Sequence, residues 1–345
     1  MSPIQKGATV LVTGASGFIS SHTVEALLEH GYKTVGTVRS TAKGDYLKDL
    51  FKGKGDFSYV IVEDIGQDNA FDEAVKNVDA VLHMASPFHF EADDPQELFV
   101  PAVNGTLGVL KSIKKNNPDV KRVVITSSVA AIISSNIKPP HTFTEKDWNE
   151  VSIPACEKDG KKASNSDKYR ASKTLAEQAF WKFQKEEKPS WDGATINPPM
   201  VLGPVIHQCE SVDKLNTSVK MFSDWMVGNK TKDDLPGGGG NWVDVRDCAL
   251  AHVRALEVKE AGGERFICGN GPFSGNDYCV ILNKLYPDDK KIPQGDASEG
   301  AREKINSEST IHDGSKCAKV LDIKYHSLET TVEDMAKSLK SRFDI

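Results

Sequence analysis

The chain has no apolar run near the roughly 20 residues that cross a bilayer as a helix, and its short polar start, Met1 to Lys6, lacks the basic, apolar and small-residue zones of a secretory leader. Both absences point to a cytoplasmic protein with no membrane partner. There is no excess of positive charge: 43 Lys and Arg stand against 49 Asp and Glu, a formal net charge of -6. Nucleic-acid binding, which goes with a basic excess, is not expected. Cysteine is sparse. Cys156, Cys209, Cys248, Cys268, Cys279 and Cys317 form no Cys-x-x-Cys pair and have no histidine at ligand spacing, so neither a zinc site nor a disulfide framework is expected. No internal repeat or low-complexity tract is visible.

What remains is an ordinary globular composition, 39% hydrophobic and 27% charged, in 345 residues. That length exceeds what one hydrophobic core usually fills, so a large domain with a smaller lobe is expected. Ala8–Thr13, Phe57–Val62, Ala80–Met84, Val123–Thr126 and Ala194–Asn197 are nearly continuous apolar or β-branched runs, the pattern of strands covered on both faces. Amphipathic stretches lie between them. Phe18–His30 stops at Gly31, and Lys168–Glu187 carries Leu175, Ala179 and Phe183 on one stripe with Ala176 and Phe180 beside it. The alternation predicts an α/β fold: a Rossmann doubly wound parallel sheet with a smaller mixed α/β substrate lobe. Residues 1–198 plus 241–260 are assigned to the nucleotide domain and 199–240 plus 261–345 to the lobe. Within the former, Trp242–Val245 is expected as a strand and Asp247 as the cap of a helix from Cys248 to Val258.

Directly after the first strand stands Thr13-Gly14-Ala15-Ser16-Gly17-Phe18-Ile19-Ser20. Gly14 allows a tight turn and Gly17 lets backbone approach a pyrophosphate, while the next helix turns its free N–H groups toward the anion. A lone Gly-x-x-Gly is weak evidence; between a buried strand and an amphipathic helix it is a strong one. Ser20 replaces the usual third glycine, and a small residue suffices there. The second strand, Lys33–Val38, ends at Arg39, where an NAD site usually has an acid. A guanidinium pairs with a phosphate, and Lys43 adds a second charge, which favours NADP(H). Asp64 and Ile65 are placed to meet the adenine, and Ala85 and Ser86 to line the dinucleotide groove. No metal is called for.

A hydride arriving at a carbonyl carbon leaves negative charge on oxygen, which some group must protonate. Tyr169 and Lys173, four apart on the long helix, share a face. A phenol titrates near pH 10, and an ammonium beside it favours the phenolate and moves it toward the working range. Lys173 can also hold the nicotinamide ribose. A serine at the end of the fifth strand would hydrogen-bond the same carbonyl oxygen. Ser127 and Ser128 compete for this place; neighbours on a strand face opposite ways, and spacing does not choose between them.

Gly14-x-x-Gly17, Thr126-Ser127-Ser128, Tyr169-x-x-x-Lys173 and Ile196-Asn197-Pro198 together resemble the extended short-chain dehydrogenase/reductase family, in its dihydroflavonol-reductase-like branch. His83-Met84-Ala85-Ser86-Pro87-Phe88, Pro101-Ala102-Val103-Asn104-Gly105 and Asp244-Val245-Arg246-Asp247 are similar to the fungal methylglyoxal/isovaleraldehyde reductase group. The resemblance spans nearly the whole chain. It implies that Ser128 is catalytic with Tyr169 and Lys173. It also implies that Gly14, Ser16, Gly17, Phe18 and Ile19 hold the pyrophosphate side, that Arg39 and Lys43 take the 2′-phosphate, and that Pro198 and Ser218 border the nicotinamide. Phe88, Val129, Ile133 and Met200 would line an apolar substrate pocket; the fungal group tends toward aromatic residues at the last three, so this pocket is wider or differently shaped. Ile133 stands where flavonoid-type members carry a polar residue, which disfavours polyphenols. Asp167-Lys168-Tyr169-Arg170-Ala171 lacks the Asn-Trp-Tyr-Cys-Tyr signature of cinnamoyl-CoA-type members, which disfavours CoA thioesters.

The resulting expectation is NADPH-dependent reduction of small aldehydes and ketones, ketoesters included, by a monomer or homodimer. Two alternatives use the same framework: an NAD-dependent nucleotide-sugar epimerase or dehydratase, and a non-catalytic NADP-sensing regulator. Arg39 and the apolar pocket oppose the first; intact Tyr169 and Lys173 oppose the second.

Overall fold

The computed structural model describes residues 4–86, 92–237 and 239–345. The first part alternates: β1 (Thr9–Thr13), α1 (Phe18–Glu29), β2 (Lys33–Val38), α2 (Thr41–Leu50), β3 (Phe57–Ile61), β4 (Ala80–His83), α3 (Gln96–Asn116) and β5 (Arg122–Thr126). There follow β6 (Thr142–Phe143), α4 (Ser152–Asp159), α5 (Asn165–Glu187), β7 (Asp192–Asn197), β8 (Met200–Leu202), α6 (Thr217–Met226), β9 (Gly240–Asp244) and α7 (Val245–Glu257). The chain ends with β10 (Arg265–Ile267), β11 (Pro272–Phe273), α8 (Gly275–Leu285), α9 (Glu299–Glu308), β12 (Ile311–His312), α10 (Ser315–Leu321) and α11 (Leu328–Arg342).

The large sheet has seven strands in the order β10-β7-β5-β4-β1-β2-β3, all parallel. Its apolar strands serve two cores because successive side chains face opposite ways. Val10, Val12, Leu82 and Val124 join the core under α1 and α7. Leu11, Val81, Val123 and Ile125 join the other, with Val109 and Ile113 of α3 and Phe180 and Phe183 of α5. The winding reverses between β1 and β4, opening a crevice at their carboxyl ends, where α/β sheets bind ligands.

The smaller lobe contains a three-stranded sheet, β11-β9-β8, and the parallel pair β12-β6. Four local expectations change. The strand at 240–244 lies in the small sheet rather than the large one, although α7 returns to pack on α1. The strand at 265–267, assigned to the lobe, instead extends the large sheet by pairing with β7. Asp244, not Asp247, caps α7: its side chain accepts from Arg246 N, and Asp247 is bonded to His326. β3 is an edge strand and only partly buried, which its apolar composition did not indicate. Among the described residues no helix is long and apolar enough to cross a membrane, and all six cysteines are free.

Candidate active site

A cleft of about 720 Å³ follows the carboxyl ends of the large sheet and runs under β8 and α6. At one end lies the glycine turn. Gly14 has φ +66°, and a Cβ there would meet Ala85 Cα at 3.1 Å, so the residue answers both a left-handed backbone and a close approach. Gly17 precedes α1 in extended conformation, and Ser16, Phe18 and Ile19 line the cleft beside it. Buried Ser20 fills the place of the third glycine. Thr13 ties this turn to the next strand: its Oγ1 accepts from Met84 N and Ala85 N, both at 3.0 Å, and lies 2.9 Å from His83 Nδ1. With two amides already donating to that oxygen, its single proton goes to Nδ1. This agrees with His83 being neutral, its pKa lowered to about 4 by burial and then by Lys173.

Arg39 and Lys43 line the same end and form no ion pair among the described residues. Ile65 lines the cleft, but Asp64 does not. Its carboxylate accepts from Gly66 N at 2.8 Å in a tight local turn, exposed to solvent, and Val62 takes the adjoining wall instead. Ala85, Ser86, Pro198 and Ser218 all border the cleft. Asn216, not singled out by sequence, borders it too, and its Oδ1 is buried without a hydrogen-bond partner among the described residues.

The central group is built from β5 and α5. Ser127 still belongs to the sheet: its N donates to Ile196 O, and its hydroxyl turns inward to Glu177. Ser128 therefore faces the cleft, as strand alternation requires. Its Oγ accepts from Ala130 N at 3.1 Å and is hydrogen-bonded to Tyr169. Lys173 Nζ lies 5.9 Å from the centre of the Tyr169 ring and donates to Ser86 Oγ at 2.9 Å. Burial pushes the Tyr169 phenol up to about 12, opposed by the Ser128 hydrogen bond, and pushes Lys173 down to about 8. The expected lowering of the phenol by its ammonium neighbour is not seen: burial raises it, and the Ser128 hydrogen bond is what opposes that rise. What the arrangement holds is a protonated phenol beside a hydroxyl, able to give a proton to an oxygen seated between them.

A buried carboxylate supports this group. Glu177, 1% exposed, accepts from Ser127 Oγ, from Asn197 Nδ2 at 2.7 Å, from Trp181 Nε1 at 3.2 Å and from Arg265 Nε at 2.6 Å. Asn197 Nδ2 also donates to Ser128 O at 3.2 Å, so the network reaches the main chain of the cleft-facing serine. The only hint in the sequence was an acid interrupting the apolar side of a long helix. Lys168 was missed as well. Just before Tyr169 and 3% exposed, it donates to Ala92 O, Asp93 O and Lys161 O, fastening α5 to the segment after β4. Of the residues expected to line a substrate pocket, Val129, Ile133 and Met200 line the cleft; Phe88 lies outside the described residues.

Among known proteins, residues 10–269 match the model of the NAD dependent epimerase/dehydratase family. The chain is 39% identical to the ketoreductase azaE of Aspergillus niger, covering 96% of this chain and 97% of that protein. It is 36% identical to the NADPH-dependent methylglyoxal reductase GRE2 of Saccharomyces cerevisiae, covering 96% and 98%. The crystal structure of Gre2 in complex with NADPH from Candida albicans superimposes with a TM-score of 0.86 at 37% identity, over 97% of this chain and 99% of that one.

Proposed function

The chain belongs to the NAD dependent epimerase/dehydratase family, and within it we propose an NADPH-dependent reductase of small aldehydes and ketones. The observation that carries this reading is the hydrogen-bonded pair of Ser128 and Tyr169 at the wall of the cleft, with Lys173 one helical turn away. The similarity to reductases named for NADPH, methylglyoxal and ketones supports it.

The residues of the cleft fit NADPH. The Gly14–Gly17 turn offers backbone N–H groups and the start of α1 to a pyrophosphate. Arg39 and Lys43 suit a 2′-phosphate, the guanidinium by a two-point contact. Asn216 Oδ1, an acceptor without a partner among the described residues, suits the amide hydrogens of a nicotinamide carboxamide. When bound, NADPH supplies the hydride. Tyr169 gives its proton to the oxygen of the reduced carbonyl, Ser128 holds that oxygen, and Lys173 stabilises the phenolate left behind. Val129, Ile133 and Met200 take the apolar part of the substrate and keep water from it. Arg39 and the apolar wall fit this reading better than a nucleotide sugar.

The reading is tested by following NADPH and NADH absorbance against methylglyoxal, isovaleraldehyde, a ketoester and a nucleotide sugar. Consumption of NADPH, preferred over NADH, with the carbonyl compounds supports it. Turnover of the nucleotide sugar alone overturns it.

A further inference from the structure

The face of α5 toward the cleft consists of Ser166, Tyr169, Arg170 and Lys173. Their spacing, i, i+3, i+4 and i+7, is that of one helical stripe. Arg170 is therefore part of the cleft wall beside the phenol, not a residue on the outer face of the helix. Among the described residues, the charged ones lining the cleft are Arg39, Lys43, Arg170 and Lys173, with no carboxylate. Arg39 and Lys43 lie at the glycine-turn end, and Lys173 is bonded to Ser86. That leaves Arg170, among the described residues, as the charged group beside Tyr169 without a partner. Its guanidinium has no salt bridge and no hydrogen bond among the described residues, although it is half-buried.

The neighbouring groups do not neutralise it. Asp167, one turn earlier, accepts from Ser152 Oγ at 2.9 Å and Ser164 Oγ at 2.7 Å. His312, whose pKa burial and then Arg170 lower to about 4, is a buried neutral ring against Phe143. A guanidinium that lines the cleft with no protein acceptor offers its planar fork of donors to an anionic group of a ligand seated there. Val129, Ile133 and Met200 line the same cleft. The pocket thus combines an apolar wall, a proton donor and a cationic fork.

Resting on the reductase reading above, we propose that Arg170 selects carbonyl substrates bearing a carboxylate, short oxo acids with an apolar substituent, over neutral analogues. The balance is simple: oxo acid, NADPH and a proton give hydroxy acid and NADP⁺. The carbonyl carbon gains the hydride, the C=O π bond becomes an O–H bond with the proton from Tyr169, and the carboxylate stays unchanged on Arg170.

The test compares kcat/KM for phenylglyoxylate and acetoacetate with their methyl esters, in the native protein, Arg170→Met and Arg170→Lys. The native protein favours the acids. Arg170→Met lowers the acid-to-ester ratio about thirtyfold, the size of a lost charge-assisted hydrogen-bond pair, and Arg170→Lys lowers it less. Ester turnover in the same samples reports folding. Calorimetry with mandelate, the product of the first acid, gives the comparison without turnover: binding weakens in Arg170→Met. Ester reduction with an acid-to-ester ratio that Arg170→Met leaves unchanged, or mandelate binding that it leaves unchanged, overturns this inference and spares the reductase reading. A native protein that reduces neither acids, esters nor aldehydes overturns both.

Discussion

Glu177 Oε1 accepts from Arg265 Nε at 2.6 Å, joining the middle of α5 to the edge strand of the large sheet across 88 residues of sequence. Both side chains are buried, and Arg265 further donates to Glu145 O and Asp147 O while stacking 3.8 Å from the Trp148 ring. Removing one member strands the charge of the other. Glu177→Ala is expected to cost about 3–5 kcal/mol in urea unfolding, and Glu177→Gln distinctly less because it keeps the shape and part of the hydrogen bonding. Equal stability of Glu177→Ala and the native protein would show the pair to be idle.

The alkaline limb of the reaction should belong to Lys173. Its pKa, lowered to about 8 by burial, means that it carries charge below that pH and loses it above. The Tyr169 phenol, held up to about 12, stays protonated over the whole working range. Carbonyl reduction that needs the ammonium therefore falls as pH rises through about 8, and Lys173→Arg, charged throughout, removes that limb from the pH–kcat/KM profile. A native profile flat to pH 10 would contradict this assignment.

Cofactor choice should follow Arg39. Truncation by Arg39→Ala is expected to raise KM for NADPH about tenfold and to leave KM for NADH within about twofold, since only the former offers a phosphate to the guanidinium. Steady-state kinetics with both nucleotides decide it. Equal rises for the two would place Arg39 away from the 2′ position.

Local chemistry was legible in the sequence and long-range pairing was not. The glycine turn, the Tyr169–Lys173 spacing and the boundaries of β2 follow from periodicity and turn residues within a few positions of each other. The Ser127 and Ser128 alternative needed the sheet, because β5 continues one residue further by pairing with Ile196 and so fixes which hydroxyl turns inward. Glu177 was hidden because its partners come from β5, β7 and β10, and a helical stripe says only which face is inside. The small strand at 240–244 reads the same whether it joins one sheet or another; its partners Met200–Leu202 and Pro272–Phe273 decide that. Asp64 makes a contact nearer in sequence, a two-residue reach in which its Oδ1 accepts from Gly66 N.

The most direct measurement replaces Tyr169 with Phe, removing one oxygen and leaving the ring. NADPH affinity, read by nucleotide fluorescence, should stay within about threefold, while kcat for carbonyl reduction falls about a thousandfold. A Tyr169→Phe protein that reduces methylglyoxal at the native rate would contradict the role of the phenol as proton donor.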